Sequence, residues 1–246
     1  MGNHTLKNIQ FVENRLLGIW GAPSMVYMEL AGYAKLFDMV SERQSVNGNE
    51  INQMWSHVIN LSTNDMPLKP LSKIEEFFCD HFNTTYMCKG RYLDNERFNG
   101  YYMEFVKGDY WSKVGDGTYN SYDCGKPGNL KYFSPVSIGT QWHMLTSGFA
   151  HHLISDIKSL ETLMSLKFSY IPDESFYQAA WRTYSQDDFE SNYHRDTMWD
   201  KVTTSQHSRY SVDLEDLDTI PKHLMFIRKV YTNQVKEAII SKFLTV

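Results

Sequence analysis

The sequence predicts an α/β fold, because segments with helical spacing alternate with short apolar runs of the kind that form strands. Behind Pro23, apolar side chains recur at three- and four-residue intervals up to residue 40, which indicates an amphipathic helix. Residues 55–61 form a short, partly β-branched run, and the polar stretch 62–65 follows it. That order is typical of a strand and the loop at its carboxyl end.

The other expected elements follow from the same patterns. Ser72 and Glu75 have the spacing of a capping box, which predicts a helix that ends at residue 82. Residues 140–145 predict a strand, and Ser147 precedes a helical pattern that continues to Leu163. A short helix after Pro172, a capped turn at 211–217, an apolar run at 224–227 and a last helix at 233–243 complete the chain.

Residues 84–139 lack this periodicity and are rich in Tyr, Gly and Asn. We therefore interpret them as an irregular insertion within a single domain that spans residues 1–246. The sequence contains no internal repeat and no low-complexity linker, so it does not indicate a second domain.

Composition argues against several classes of protein. The chain has 246 residues, and its 24 basic and 29 acidic side chains give a net charge of −5. No basic run would neutralise a nucleic-acid backbone, and no run of 18 apolar residues or signal-peptide pattern is present. The cysteines Cys79, Cys88 and Cys124 lack the paired spacing of a zinc site. One disulfide with one free thiol remains an open alternative.

Taken alone, the residues offer a few chemical candidates, each with a structural alternative. Asp65 follows a predicted strand, where α/β sheets place ligand groups, but an aspartate there also caps turns. Asp173 and Glu174 are candidate catalytic carboxylates that also suit a helix N-terminus. Arg228 and Lys229 suit an anion, yet they are also typical of a solvated strand end. No phosphate loop, serine nucleophile elbow or HExxH helix is present.

Five segments in order resemble one enzyme family. They are 19–24 (IWGAPS), 59–69 (INLSTNDMPLK), 138–142 (IGTQW), 171–176 (IPDESF) and 226–229 (FIRK). Together they resemble the protein xylosyltransferases and the core-2 and I-branching N-acetylglucosaminyltransferases, and the second and fourth segments are the most specific. The resemblance implies a GT-A-like, Rossmann-type domain that transfers a sugar from a UDP-sugar with inversion and needs neither a metal nor another cofactor.

The resemblance also implies roles for residues at matching positions. Glu174 matches the family's catalytic carboxylate, and inversion needs such a base to take the proton of the acceptor hydroxyl. Arg228 and Lys229 match a basic pair that neutralises the departing UDP diphosphate in place of a metal. Arg209 is expected as a further diphosphate contact.

Three residues are expected at the sugar. Asp65 would lie beside the donor sugar or hold its loop. Trp142 or Trp199 would stack against the sugar or the acceptor, because apolar sugar faces pair well with aromatic rings. No metal ligand is expected among these residues.

Residues 174–176 and 228–240 look closer to the xylosyltransferase branch, so the first expectation is transfer of xylose from UDP-xylose to a protein serine. Gln141 stands where that branch has an acidic residue, so a β-1,6-N-acetylglucosaminyltransferase remains an alternative. The family has a portion ahead of residues 19–24, so we expect a domain that lacks its first β-α units. A truncated, non-catalytic interaction domain is therefore the third alternative.

The expected partners are the UDP-sugar donor and a protein or glycan acceptor. Relatives in this family are type II membrane proteins of the Golgi. Membrane attachment is expected only through a segment that this chain does not contain.

Overall fold

A computed structural model of the chain describes residues 9–13, 15–47, 55–88, 101–104, 111–114, 138–167, 169, 171–191, 194–196 and 211–245. Its described residues form a mixed α/β structure with small sheets, which confirms the predicted class at this level. Trp199, Arg209 and Cys124 lie outside the described residues.

In chain order the elements are α1 (Ser24–Asn47), β1 (His57–Ile59), β2 (Met66–Pro67), α2 (Leu71–Asp80), β3 (Tyr86–Met87), β4 (Tyr101–Glu104), β5 (Trp111–Val114), β6 (His143–Thr146), α3 (Ser147–Ser155), α4 (Ile157–Leu166), α5 (Phe176–Tyr184), β7 (Arg195–Asp196), β8 (Phe226–Ile227) and α6 (Asn233–Ile239), with 3₁₀ turns at Pro172–Glu174 and Leu214–Asp218 and a π-helical turn at Ile240–Leu244.

The chain divides into two compact units. The first unit comprises Met1–Met54, Lys89–Gln141 and Gly148–Asp188, and the second unit comprises Trp55–Cys88, Trp142–Ser147 and Phe189–Val246. The single domain with an insertion at 84–139 stays a prediction. Within that range, β4 and β5 pair as antiparallel strands, a pairing that periodicity did not indicate.

In the first unit, α5 packs against α4 and against the turn Pro172–Glu174, and its core includes the fully buried Phe149, Phe176 and Tyr177. The sequence predicts one helical pattern behind Ser147, whereas the structure has two helices that are separated at Asp156. Asp156 has an extended backbone, and its carboxylate accepts a hydrogen bond from the Lys158 N–H at 2.8 Å. A side chain that caps the second helix in this way ends the first one, because it competes for backbone donors.

The second unit contains two three-stranded sheets. In the first sheet β6 lies between β1 and β3, and both pairs are antiparallel. In the other sheet β8 lies between β2, its antiparallel neighbour, and β7, its parallel neighbour. Two apolar clusters support these sheets, one with α6 and one with α2.

The predicted capping box at Ser72 and the predicted capped turn at 211–217 had different outcomes. The capping box is wrong, because α2 begins at Leu71, so that Ser72 lies inside the helix, and no side chain caps it. Pro70 precedes that helix, and its ring holds φ at −55° without a cap. The capped turn near residues 211–217 is confirmed: the carboxylates of Asp213 and Asp216 each accept a backbone N–H of the other's residue.

Candidate active site

In the second unit, Asp65 is the centre of a buried group of charged side chains. It follows the loop after β1 and directly precedes β2, and its side chain is 1% exposed. Its Oδ2 accepts hydrogen bonds from the backbone N–H of Ser62 at 2.7 Å and from the Ser62 hydroxyl at 2.6 Å. Asp65 therefore does cap its own loop, as the structural alternative holds, and this fixes the direction of its carboxylate.

Two arginines meet this carboxylate. Arg228 Nη1 donates to Oδ2 at 3.4 Å, and Arg195 Nε lies 3.7 Å from Oδ1. The second distance is too long for a hydrogen bond, so that pair is a contact between charges. The geometry arises from the sheet β2–β8–β7, since Asp65 precedes β2, Arg228 follows β8 and Arg195 opens β7.

Trp142 lies against both guanidinium groups. The Cζ of Arg228 is 3.7 Å from the centre of its ring system, and the Cζ of Arg195 is 5.0 Å away. A guanidinium at this distance from an indole is stabilised by the negative face of the ring. Trp142 thus contacts Arg228, and its expected stacking against a sugar stays a prediction.

Lys229 extends the positive charge of this site. It is half-buried, and burial lowers the pKa of its ammonium group, as does the neighbouring charge of Arg228. Its backbone carbonyl accepts the N–H of Val212 at 2.9 Å, and the next N–H, that of Val230, is bonded to the Asn64 carbonyl at 2.8 Å. The backbone that carries Lys229 is therefore held on both sides.

Within the part of the chain that the structure describes, the site thus has four charged side chains, one carboxylate and three cations, which are Asp65, Arg195, Arg228 and Lys229. A site with such an excess of fixed positive charge suits an anion, and planar guanidinium and ammonium groups are common phosphate ligands. No group of three or more His, Cys, Asp or Glu side chains within the described ranges is arranged to hold a metal ion.

Glu174 lies in the first unit, at the end of the turn Pro172–Glu174. Its backbone carbonyl accepts the Gly139 N–H at 2.8 Å, and its N–H donates to the Ile171 carbonyl at 3.2 Å. Asp173 is 4% exposed, whereas Glu174 is partly exposed. Of the two adjacent carboxylates, Glu174 is therefore the more accessible to an acceptor hydroxyl.

The residues around this turn fix its conformation. Ile171 has a left-handed backbone with φ of 54°, and its N–H donates to the Gly21 carbonyl at 2.9 Å. Tyr177 on α5 donates a hydrogen bond to the Glu29 carboxylate on α1. Burial raises the pKa of Tyr177 well above its ordinary value, and the charge of Glu29 adds to this, so the tyrosine remains a hydrogen-bond donor.

The five segments that carry the resemblance thus fall into two groups. In the first unit, backbone hydrogen bonds join segments 19–24 and 171–176 through Gly21 and Ile171, and they join 171–176 to residues 138–141 through Glu174 and Gly139. The last residue of segment 138–142, Trp142, belongs to the second unit. In the second unit, segments 59–69 and 226–229 meet at Asp65 and Arg228, together with Trp142. Each group is brought together by the fold rather than by proximity in sequence.

Two residues of the site were not predicted from the sequence. Arg195 lies outside every segment of the resemblance, and Asn60 lies within one without an assigned role. The Arg195 side chain donates to the Asn60 carbonyl at 2.7 Å, and the Asn60 Oδ1 accepts the His143 N–H at 2.9 Å. No periodicity marks either residue, since both act through contacts between distant parts of the chain.

Comparison with known proteins identifies the family. The family model named Core-2/I-Branching enzyme matches residues 4–221. The chain belongs to the Core-2/I-branching enzyme family. This confirms the resemblance, although the match ends before Arg228 and Lys229, whose roles stay predictions. The described part of this Core-2/I-branching chain has no helix that is both long and apolar enough to span a membrane.

Among curated proteins, the chain is similar to Xylosyltransferase oxt of Drosophila melanogaster. The two are 26% identical over 183 residues, which is 71% of this chain and 18% of that protein. This Core-2/I-branching chain therefore spans less than a fifth of the length of the curated relative that it matches.

Proposed function

We propose that this chain is an inverting, UDP-sugar-dependent glycosyltransferase with a GT-A-like fold that acts in the Golgi and whose donor diphosphate binds at Lys229. The observation that carries the proposal is the excess of buried and half-buried positive charge around Asp65 in the second unit. Family membership and the relative's name support a transferase that uses a nucleotide sugar. Xylose is the first choice of sugar, and a protein serine is the first choice of acceptor.

Arg228 and Lys229 have different roles in this proposal. Arg228 is 9% exposed, and its guanidinium already contacts Asp65 and Trp142. Lys229 is the more accessible of the two, and burial disfavours its charged form. A diphosphate would restore the lost stabilisation of that ammonium group, so Lys229 is the direct ligand and Arg228 adds to the positive field.

Glu174 is the proposed general base. Its carboxylate takes the proton of the acceptor hydroxyl as that oxygen forms a bond to the anomeric carbon. The bond from the anomeric carbon to the diphosphate oxygen breaks, and the electron pair leaves with UDP. Lys229 would stabilise the negative charge that develops on that oxygen, which is the role that a metal has in other sites.

Calorimetric titration with UDP in the presence of EDTA tests the donor site. Lys229→Met removes the proposed ligand, and Lys222→Met is the matched control, because Lys222 is exposed in the same unit. We expect the wild-type chain to bind UDP and Lys229→Met to bind about tenfold more weakly or worse. Equal affinities in Lys229→Met and the control would contradict the role of Lys229, and a wild-type chain that does not bind UDP would contradict the donor site itself.

The family name, Core-2/I-branching enzyme, favours one second candidate, the transfer of N-acetylglucosamine in a branching reaction. Competition between bound UDP and the two intact donors separates the alternatives. Tighter competition by UDP-xylose than by UDP-N-acetylglucosamine supports the first choice, and the reverse order supports the branching reaction.

A further inference from the structure

We propose that Arg195 is a positioning residue for the cation site: it holds Asp65 and Trp142, the two groups on which Arg228 rests. The inference depends on the proposed function for its catalytic meaning, because it concerns the site assigned to the donor diphosphate.

Burial indicates that Arg195 acts through other residues. Its side chain is 0% exposed, so a substrate cannot reach the guanidinium directly. An arginine is costly to remove from water, and its planar group repays that cost only where several partners surround it. Arg195 has such partners: it donates to the Asn60 carbonyl at 2.7 Å, and it lies 3.7 Å from Asp65 and 5.6 Å from the Phe226 ring.

Arg195 connects the three chain segments that build the site. Its backbone pairs with Phe226 of β8, two residues before Arg228. Its guanidinium reaches Asn60 and Asp65 in the loop after β1, and it also lies 5.0 Å from the ring of Trp142.

The charges explain why this connection matters for an anion. Asp65 is shared between two arginines, and Arg195 is the more deeply buried of them. Without Arg195, the whole negative charge of Asp65 would act on Arg228 and weaken the positive field that Arg228 offers to a diphosphate. The Asn60 carbonyl would also lose its charged donor, which would loosen the loop that carries Asp65.

Arg195→Lys is the informative variant, because it keeps the charge but loses the planar fork. One ammonium group cannot donate to the Asn60 carbonyl, face the Asp65 carboxylate and lie flat against Trp142 at the same time. The matched control is Arg182→Lys, since Arg182 is exposed on α5. Two readouts are measured for each variant: UDP affinity by calorimetry, and the Nε–H signal of Arg228 in ¹⁵N-labelled protein, which Arg228→Lys assigns.

We expect Arg195→Lys to weaken UDP binding about tenfold and to shift or broaden the Arg228 signal, while the control leaves both unchanged. An Arg195→Lys chain that is less stable but keeps the wild-type UDP affinity and Arg228 signal would overturn the inference. If the wild-type chain does not bind UDP, the proposed function fails separately, and the Arg228 signal alone decides whether Arg195 positions it.

A measurement on the wild-type chain covers the case in which the variant does not fold. We expect the Nε–H of Arg195 to exchange with solvent more slowly than that of the exposed Arg182, and its signal to move less than that of Arg228 when UDP is added. Exchange as fast as that of Arg182 would contradict a buried positioning role.

Discussion

The substitution Asp65→Asn removes one negative charge from the buried site and leaves its shape nearly unchanged. The wild-type side chain is 1% exposed, with Arg228 at 3.4 Å and Arg195 at 3.7 Å. Removing one partner of a buried ion pair costs about 3–5 kcal/mol, because the remaining charges stay away from water. The amide oxygen of the substituted side chain can still accept the hydrogen bonds from Ser62, and the side chain of Arg228, taken without its backbone, is 11% exposed. We therefore expect the lower end of that range, about 3 kcal/mol.

Urea unfolding followed by circular dichroism measures this loss. For a chain of this size, a loss of about 3 kcal/mol lowers the melting temperature by roughly 6–12 °C. The control is Asp218→Asn, since Asp218 pairs with Lys242 at 2.6 Å but its side chain is 87% exposed. Solvent screens such a pair, so the control should unfold at the wild-type urea concentration.

One result would refute the stabilising role of the buried charges. If Asp65→Asn loses no more stability than Asp218→Asn, then the buried charges do not stabilise one another. The contacts of Asp65 with Arg195 and Arg228 would then be consequences of the fold without energetic weight.

Four further outcomes are expected. The pKa of Lys229 is lowered from 10.5, so its ammonium group begins to lose its proton below pH 10.5. In a calorimetric pH series, the UDP affinity of the wild-type chain should therefore fall as the pH rises towards 10.5, whereas Lys229→Arg should keep its affinity. Burial lowers the pKa of His57 and His194 from 6.5 in the folded chain. As the pH drops through 6.5, the unfolded chain therefore binds protons before the folded chain does, and the urea midpoint should fall. Glu174→Gln should lower kcat by about 10²–10⁴ while UDP affinity stays unchanged, and an unchanged kcat would exclude Glu174 as base. Asp156→Ala removes the cap of α4 and should cost about 1 kcal/mol in urea unfolding.

The local elements could be predicted because they depend on neighbours in the sequence. Helical spacing indicated α1 from Ser24, and a short apolar run indicated β1 within residues 55–61. The capped turn near Asp213 also follows from adjacent residues. Errors arose where a single residue changes the balance, as at Asp156, whose carboxylate divides one expected helix into two.

The order of the five motifs was sufficient to identify the family, because each motif carries several residues at a fixed spacing. The match over residues 4–221 confirms that resemblance. They also singled out Glu174, Arg228 and Lys229 as chemical candidates. Their roles stay predictions, since a motif carries the identity of a residue and no information on what surrounds it.

By itself, then, the sequence determined the α/β class, several of the helices and strands, the family and the list of candidate side chains. The tertiary structure alone decided that Asp65 is buried between two arginines, that Arg228 is enclosed while Lys229 is more accessible, and that Arg195 belongs to the site. Asp65 and Arg228 are 163 residues apart in the chain and 3.4 Å apart in space. Burial and charge pairing of this kind arise only when distant segments pack together, so no local pattern encodes them.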